Sequence, residues 1–310
     1  MDDVEHSLST MAHAGSCPKC YYVFPPISES APAYFAQGHV ICKECNELAD
    51  LWDVVLARVT APHPTAVSLV SLGVTSTHFD RRIEAGRYLE VDLTEVGVPK
   101  DAAVLQAGYT TQGVQGEGAV FAREVHGNVP TRRIMDNVLR LTGVAGISGD
   151  GTVGTVSRVL IWVTWVPYSE DAGWSYLVSA FDAFTYWHYD RVIVPAQSAV
   201  EISTMPIIRE LLMRHASADH VKRFMGDRLT FGNVVNVILP FVAGQAGIPK
   251  LPNKVRGSLN TLRRIRNELV HEGLGGNRIT AQQAGEGLCA AVFGSEYARF
   301  AGPKLKAWLG

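Results

Sequence analysis

Hydrophobic positions in the C-terminal part of the chain recur at three- and four-residue intervals. Between residues 254 and 269 the gaps between successive apolar residues are four, three, three and four, which is the period of an amphipathic helix. These apolar positions are Val255, Leu259, Leu262, Ile265 and Leu269. Glycines at 273, 275 and 276 predict that the helix ends soon after His271.

A second helical region is predicted to begin near Trp174, where aromatic residues are frequent, and to continue to residue 213. Kinks are expected near Pro195 and Pro206, because proline lacks the amide donor that a helix interior needs. Aromatic side chains at helical spacing are more often core or interface residues than ligands of RNA bases.

Two shorter patterns complete the predicted helical part. An apolar helix over residues 234–241 is expected to end near Pro240, and a last helix over 281–300 follows a Thr280 cap. Polar connectors are expected at residues 219–226 and 244–253. The part of the chain after residue 172 is therefore predicted to be all-helical.

Residues 65–168 alternate between apolar and polar side chains, as strands do. Strands are predicted at residues 88–93, 104–109, 119–125 and 156–166, with turns between them. The last of these strands is apolar on both faces, which predicts a central position in a sheet. With a helix expected around residues 133–141, this region is predicted to be a small antiparallel, sandwich-like β domain. It carries no catalytic pattern, and we expect it to bind a protein partner or a ligand.

Four of the five cysteines form two Cys-x-x-Cys pairs, Cys17 with Cys20 and Cys42 with Cys45. Two such pairs separated by 21 residues have the spacing of a zinc-ribbon-like module, in which four thiolates surround one structural zinc ion. Four cysteine ligands leave no open position for a catalytic water. The alternative is a pair of disulfides or a redox-active thiol pair. A helix capped by Asn46 is expected to follow over residues 46–59.

The net charge of −2 gives no indication of nucleic-acid binding for the chain as a whole. Residues 1–60 contain 3 Lys/Arg and 8 Asp/Glu, whereas residues 170–310 contain 16 and 12, a net charge of +4. The acidic N-terminus lacks the apolar core of a signal peptide, and the apolar run at residues 159–166 is too short to span a bilayer. We therefore expect a cytoplasmic protein without a membrane segment.

The end of the helix that is predicted to begin at residue 254 combines three side chains that suit phosphate chemistry. Asn267 and His271 are four residues apart and share a helix face. Arg266 and His271 are five apart, about 140° around an ideal helix, so the arginine would have to reach around to meet the histidine. A guanidinium binds phosphate, and a histidine can move the protons that RNA cleavage requires without a metal. The alternative interpretation is an arginine-rich surface helix with a histidine at its C-terminus.

The sequence Arg266-Asn267-Glu268-Leu269-Val270-His271 resembles the Arg-polar-x-x-x-His motif of HEPN domains, and the resemblance covers roughly residues 172–300. It implies a dimeric helical bundle. Many members are metal-independent endoribonucleases of toxin–antitoxin, abortive-infection and CRISPR-linked systems. By resemblance, Arg266 and His271 would be catalytic, Asn267 would assist them, and two motifs would form one site across a dimer interface. Some members bind RNA or nucleotides without cutting.

The predicted architecture is α+β and multidomain. It comprises a zinc-ribbon-like module with its helix at residues 14–60, a β-rich domain at 65–168 and a HEPN-like helical domain at 172–310. The predicted function is that of a toxin or anti-phage endoribonuclease with an RNA substrate, acting as a homodimer. The competing prediction is a non-catalytic dimerisation module that binds RNA, a nucleotide or a protein, with the ribbon as adaptor. A transcription-linked ribbon protein is a third alternative, but the acidic first sixty residues disfavour direct duplex binding.

Overall fold

The computed structural model describes residues 8–11, 14–60, 75–84, 86–112, 120–124, 138–145, 156–166, 173–272 and 279–309. The fold is mixed α+β, as predicted, and it divides into two compact units. One unit comprises Met1–Ala12 with Gly73–Tyr168, and the other comprises His13–Leu72 with Ser169–Gly310. The described helices are not long and apolar enough for any of them to cross a membrane.

The described strands, in chain order, are β1 (Leu8–Met11), β2 (Gly15–Ser16), β3 (Val23–Phe24), β4 (Val40–Ile41), β5 (Leu48–Ala49), β6 (Thr75–Glu84), β7 (Tyr88–Asp92), β8 (Ala103–Gln112), β9 (Val120–Glu124), β10 (Val138–Ala145) and β11 (Val156–Val166). The described α-helices are α1 (Ile27–Gln37), α2 (Leu51–Val59), α3 (Trp174–Thr185), α4 (Tyr189–Met213), α5 (Ala218–Asp227), α6 (Phe231–Asn233), α7 (Leu239–Gln245), α8 (Asn253–Glu272) and α9 (Ala281–Leu309). A π-helical turn, Val234–Ile238, joins α6 to α7.

The first unit contains two antiparallel sheets that share one hydrophobic core. The strand order is β1-β6-β11-β8 in the larger sheet and β7-β10-β9 in the smaller one. Strand β11 lies between β6 and β8, which confirms its predicted central position. Its residues Val159, Ile161 and Val163 are fully buried. Across the ladder, Gly108 faces Trp162, and a Cβ at Gly108 would lie only 2.1 Å from the indole ring. The glycine therefore makes room for the tryptophan.

Two sequence expectations for this unit require correction. Strand β6 is absent from the sequence prediction, because its segment includes the charged run Asp80, Arg81 and Arg82, which lowers its strand propensity. The helix expected around residues 133–141 is wrong where the structure describes it, since Val138–Ala145 forms β10. This strand pairs with both β7 and β9, and those ladders outweigh its local helix preference.

Helix α9 lies at the centre of the second unit. Nearly every residue between Ala284 and Ala298 is buried, a pattern expected of a helix surrounded by other elements. Gly287 and Gly294 let neighbouring helices come close, since a Cβ at Gly294 would lie 2.8 Å from the side chain of Val200 on α4. The predicted Thr280 cap is confirmed, because its Oγ accepts from the Gln283 amide at 3.2 Å.

Residues 14–60, which we call the Cys segment, pack on the same core as the C-terminal helices. The ring of Phe293 on α9 lies 5.4 Å from Tyr34 and 5.5 Å from Trp52, centroid to centroid. The predicted division treats residues 14–60 and 172–310 as separate modules, whereas in the structure they form one compact unit. Their association depends on contacts between residues more than two hundred positions apart, which local patterns do not report.

The Cys segment differs in detail from the predicted ribbon and helix. Each Cys-x-x-Cys pair lies in its own two-stranded hairpin, β2-β3 or β4-β5, and helix α1 lies between the hairpins. Helix α2 begins later than predicted, and its cap is Asp50, whose carboxylate accepts from the Trp52 amide at 3.0 Å, rather than Asn46. Asn46 instead has a left-handed conformation, with φ of 57°.

Three helix boundaries also differ from the sequence prediction. The expected connector at 219–226 is helix α5, and the last helix continues past Pro303 to Leu309. The helix around Pro240 does not end there: this proline lies in the first turn of α7, directly after the π-helical turn, and α7 continues to Gln245. The motif helix α8 has the predicted period and spans Asn253–Glu272.

Candidate functional site

Helix α8 presents a polar face along one side of an open groove with a volume of about 520 Å³. Residues at helical spacing place their side chains together there, and the sequence supplies charged, amide and imidazole groups in close succession. The lining residues are Asn260, Thr261, Arg263, Arg264, Asn267, Glu268 and His271. We call this feature the α8 groove.

One ion pair lies within the groove. Arg264 donates to the Glu268 carboxylate at 2.8 Å, an i,i+4 pair in which both side chains are exposed. This pair balances the charge of one of the two arginines that line the groove. Arg263 forms no ion pair with a carboxylate of the described residues. The two arginines and one glutamate that line the groove sum to a net positive charge. The groove is therefore suited to an anion.

A reciprocal amide pair fixes Asn260, one of the residues that line the groove. The side chains of Asn236 and Asn260 donate to each other, with both nitrogen–oxygen distances at 2.9 Å. The second amide proton of each is also used, since Asn236 donates to the Gly232 carbonyl and Asn260 donates to the Arg256 carbonyl. Asn236 belongs to the π-helical turn, so this pair fastens α8 to the segment between α6 and α7. Irregular helical turns of this kind are frequent at functional sites.

The predicted site residues are placed in two groups. Asn267 and His271 both line the groove, as expected from their spacing of four. Arg266 is not among the lining residues; it is half-buried, and its guanidinium donates to the Asn267 carboxamide oxygen at 3.3 Å. The helix stays regular through Glu272, so the distortion that would bring Arg266 around to His271 does not occur. Within one chain, Arg266 is therefore placed to orient Asn267.

Sequence reasoning missed Asn260 and Arg263. Both could have been found from spacing alone, because Arg263, Asn267 and His271 follow one another at intervals of four, and Asn260 precedes Asn267 by seven. The contribution of Asn236 could not have been found in this way, since Asn236 lies in another helical segment, 24 positions before Asn260.

The four predicted metal ligands lie together in the Cys segment. The sulfurs of Cys17, Cys20, Cys42 and Cys45 all lie within 4.8 Å of one another. The Cys17–Cys45 and Cys20–Cys42 sulfur distances are 3.7 and 3.5 Å. Tetrahedral zinc with sulfur ligands at about 2.3 Å would hold its sulfurs about 3.8 Å apart, so the four sulfurs fit such an ion. The four cysteines could thus hold one metal ion; we call them the cysteine cluster.

The two halves of the cysteine cluster have the same backbone pattern. Cys17 donates its amide to the Tyr22 carbonyl, and Cys42 donates its amide to the carbonyl of Glu47, five residues on in both cases. The residue after each pair, Tyr21 or Asn46, has a positive φ. An ion pair between Lys19 and Glu47, at 3.2 Å, joins the two halves. Because both turns have the same geometry, the two sulfurs of each pair face the two sulfurs of the other pair.

The environment of Cys17 suits a metal-bound thiolate. Desolvation alone would raise the pKa of this thiol, but hydrogen bonds from the Cys20 and Lys19 amides and with the Cys45 and Cys42 thiols together lower the pKa to about 7. The pKa values of Cys20 and Cys45 are raised. A thiol must lose its proton to bind a metal, and the hydrogen bonds at Cys17 favour the thiolate form of this residue. The fifth cysteine, Cys289, is fully buried in α9, where burial raises its pKa, and it is not part of the cluster.

No protein-family model matches the chain, and no curated protein or solved structure is significantly similar to it. The HEPN resemblance therefore depends on the motif at the end of α8 and on the helical character of the region around it.

Proposed function

We propose that the protein is a metal-independent endoribonuclease of the HEPN type, acting as a toxin or in anti-phage defence. The observation that carries the proposal is the joint placement of Asn267 and His271 in one positively charged groove on α8. Groups that bind phosphate and a group that moves protons are thereby within reach of one ligand.

In the proposed reaction the 2′-hydroxyl of the RNA attacks the adjacent phosphorus, and the bond from phosphorus to the 5′-oxygen breaks. The products are a 2′,3′-cyclic phosphate and a 5′-hydroxyl. His271 takes the proton of the 2′-hydroxyl or gives one to the leaving oxygen. The groove arginines stabilise the charge on the phosphoryl oxygens. Asn267, held by Arg266, orients one of these partners.

We further propose a homodimer in which a second copy of α8 completes the site. Arg266 does not line the groove of its own chain, so its catalytic role in this proposal requires the composite arrangement across the dimer. The cysteine cluster would hold one structural zinc ion, and catalysis would need no metal. Cellular RNA as substrate implies a cytoplasmic location.

The alternative is a non-catalytic module that dimerises and binds RNA, a nucleotide or a protein partner. The position of Arg266 outside the groove favours this alternative, since binding needs a charged groove but does not need an arginine beside His271.

Cleavage of total RNA and tRNA by purified protein in EDTA distinguishes the two proposals. The wild type should cleave, and Arg266→Ala and His271→Ala should not. Zinc content is measured in the same samples, so that loss of the structural ion is not mistaken for loss of chemistry. RNA binding without cleavage by a folded, zinc-loaded dimer would favour the binding module.

A further inference from the structure

Arg263 is unusual among the cations that line the α8 groove. Its Nε is shut off from solvent and has no hydrogen-bond partner in the described part of the chain. An arginine that served only to stabilise the fold would be expected to pair this donor, because a buried unpaired donor costs free energy. The fold therefore leaves this one donor of Arg263 unpaired among the described residues.

That position depends on Gly232 in helix α6. A Cβ built on Gly232 would lie 2.8 Å from a terminal nitrogen of Arg263, 3.0 Å from Cζ and 3.4 Å from Nε. The guanidinium thus lies directly against the backbone of a buried glycine. The Gly232 carbonyl also accepts from Asn236, the residue paired with Asn260, so the glycine is fixed relative to α8. The close approach to Gly232 thus limits where the guanidinium of Arg263, a lining residue of the groove, can lie.

We infer that Arg263, held in place by Gly232, is the phosphate-binding residue of the α8 groove. The inference rests on the proposed function, which supplies single-stranded RNA as the ligand. The planar guanidinium suits two phosphate oxygens, and the amides of Asn260 and Asn267 line the same groove. Arg264 is less suited, because its charge is already engaged by Glu268. The role assigned to Arg266 by resemblance would then be shared with Arg263.

The first test measures binding separately from cleavage. Fluorescence anisotropy follows a single-stranded RNA with 2′-O-methyl riboses, which lacks the attacking hydroxyl and cannot be cut. Arg263→Ala should bind about tenfold more weakly than the wild type, because a charge-assisted contact is lost. The slope of log affinity against log salt should fall by about 0.7, the value for one phosphate contact on a single strand. Arg263→Lys should restore the slope.

The matched control is Arg256→Ala. Arg256 lies two turns earlier on α8, donates to Asn253 at 2.8 Å and is not a lining residue of the groove. The substitution Arg256→Ala removes the same charge from the same helix. The RNA affinity and the salt slope of this variant should stay close to the wild-type values. Equal effects of Arg256→Ala and Arg263→Ala would show a diffuse charge effect and overturn the inference.

The second test uses Gly232→Ala. The atoms that the new methyl group meets belong to the end of a flexible side chain, so the guanidinium should move while the fold holds. RNA binding should weaken as it does in Arg263→Ala, and the double variant should be no weaker than either single one. Gly257→Ala, at an α8 glycine with open space around it, should change nothing. If the losses of RNA affinity add in the double variant, Gly232 and Arg263 act independently, and Gly232 does not hold Arg263 in place.

Failure of the inference is distinguishable from failure of the proposed ribonuclease. If the wild type binds the uncleavable RNA through Arg263 but cuts no RNA, the inference stands and the enzyme proposal fails. If the wild type cuts RNA and Arg263→Ala binds it unchanged, the enzyme proposal stands and Arg263 has no role in phosphate binding. If the wild type does not bind the RNA at all, the inference is wrong.

Discussion

His271 is an exposed side chain at the end of a helix, with few native contacts to lose. His271→Ala should therefore change the free energy of unfolding by less than about 0.5 kcal/mol. The same change should abolish RNA cleavage if His271 moves the proton in the rate-limiting step. Chemical denaturation and a gel assay on the same preparation test both. His215→Ala, at an exposed histidine outside the groove, is the control; cleavage that survives His271→Ala contradicts the proposed role.

Phe293 is one of the residues through which the Cys segment and the helical core meet. It is fully buried and packs on Tyr34 and Trp52, which belong to α1 and α2. Phe293→Ala should destabilise the second unit by about 3–5 kcal/mol, since it removes a large ring and leaves a cavity. Trp308→Ala, at a half-exposed residue near the end of the same helix, should cost far less. If urea denaturation gives similar losses of unfolding free energy for Phe293→Ala and Trp308→Ala, Phe293 has no special part in joining the two regions.

Helix α8 is fastened at its N-terminus to α2 by Lys254. The ammonium group lies 2.9 Å from an oxygen of Asp50 and 2.5 Å from one of Asp53. Desolvation lowers the pKa of Lys254, but the hydrogen bonds to Asp53 and Asp50 outweigh it, and the pKa rises above its ordinary value of 10.5. Because α2 follows the cysteine cluster directly, this contact links the cluster to the helix that carries the groove.

Lys254→Met should lower stability by about 1 kcal/mol at neutral pH, the sum of two partly exposed ion pairs. A raised lysine pKa stabilises the fold fully below the unfolded value of 10.5, and the contribution disappears as the pH rises through the folded value. The difference between wild type and Lys254→Met should therefore shrink above pH 10.5. Lys222→Met, at an exposed lysine on α5, is the control. A difference that does not change with pH or salt would show that the lysine acts through its aliphatic stem.

Elements with a strong local pattern were predictable, and elements that depend on distant partners were not. Helix α8 has an unbroken hydrophobic period and strand β11 contains a long apolar run, and both lie where the sequence placed them. Helix α1 was missed because Pro32 and two preceding prolines, Pro25 and Pro26, suggest a loop. Strand β10 was predicted as helix because its stability comes from two flanking strands rather than from its own sequence.

The candidate site was only half predictable for the same reason. Spacing along α8 indicated that Asn267 and His271 share a face. It also showed that Arg266 lies about 140° away from His271 on an ideal helix. In the structure, His271 lines the groove and Arg266 does not. The roles of Gly232 and Asn236 depend on another helical segment that packs on α8. No local pattern in either segment reports that contact.

At the scale of the whole molecule, the cysteine cluster belongs to the same compact unit as the α8 groove. Cys17 and Cys42 are fully buried members of the shared core, so the metal they could hold would stabilise more than its own hairpins. This arrangement was not visible in the sequence, where the β-rich region separates residues 14–60 from the helical part.

Metal removal should therefore destabilise the helical region as well as the Cys segment. Purified protein should contain one zinc ion per chain, and Cys42→Ser should lose it together with several degrees of melting temperature, followed by helical circular dichroism. Cys289→Ala, at a buried cysteine outside the cluster, should keep the zinc. A metal-free protein with an unchanged helical melting transition would contradict the structural role.

The most direct test of the central claim uses an RNA in which one nucleotide at the cleavage site keeps its 2′-hydroxyl and all others are 2′-O-methylated. In EDTA, with zinc content verified, the wild type should cut at that nucleotide alone and leave a 2′,3′-cyclic phosphate, identified by mass spectrometry. Arg266→Ala and His271→Ala should leave the RNA intact. Cleavage at methylated positions, cleavage by the variants, or intact RNA with folded, dimeric wild type would contradict the metal-free mechanism proposed for the α8 groove.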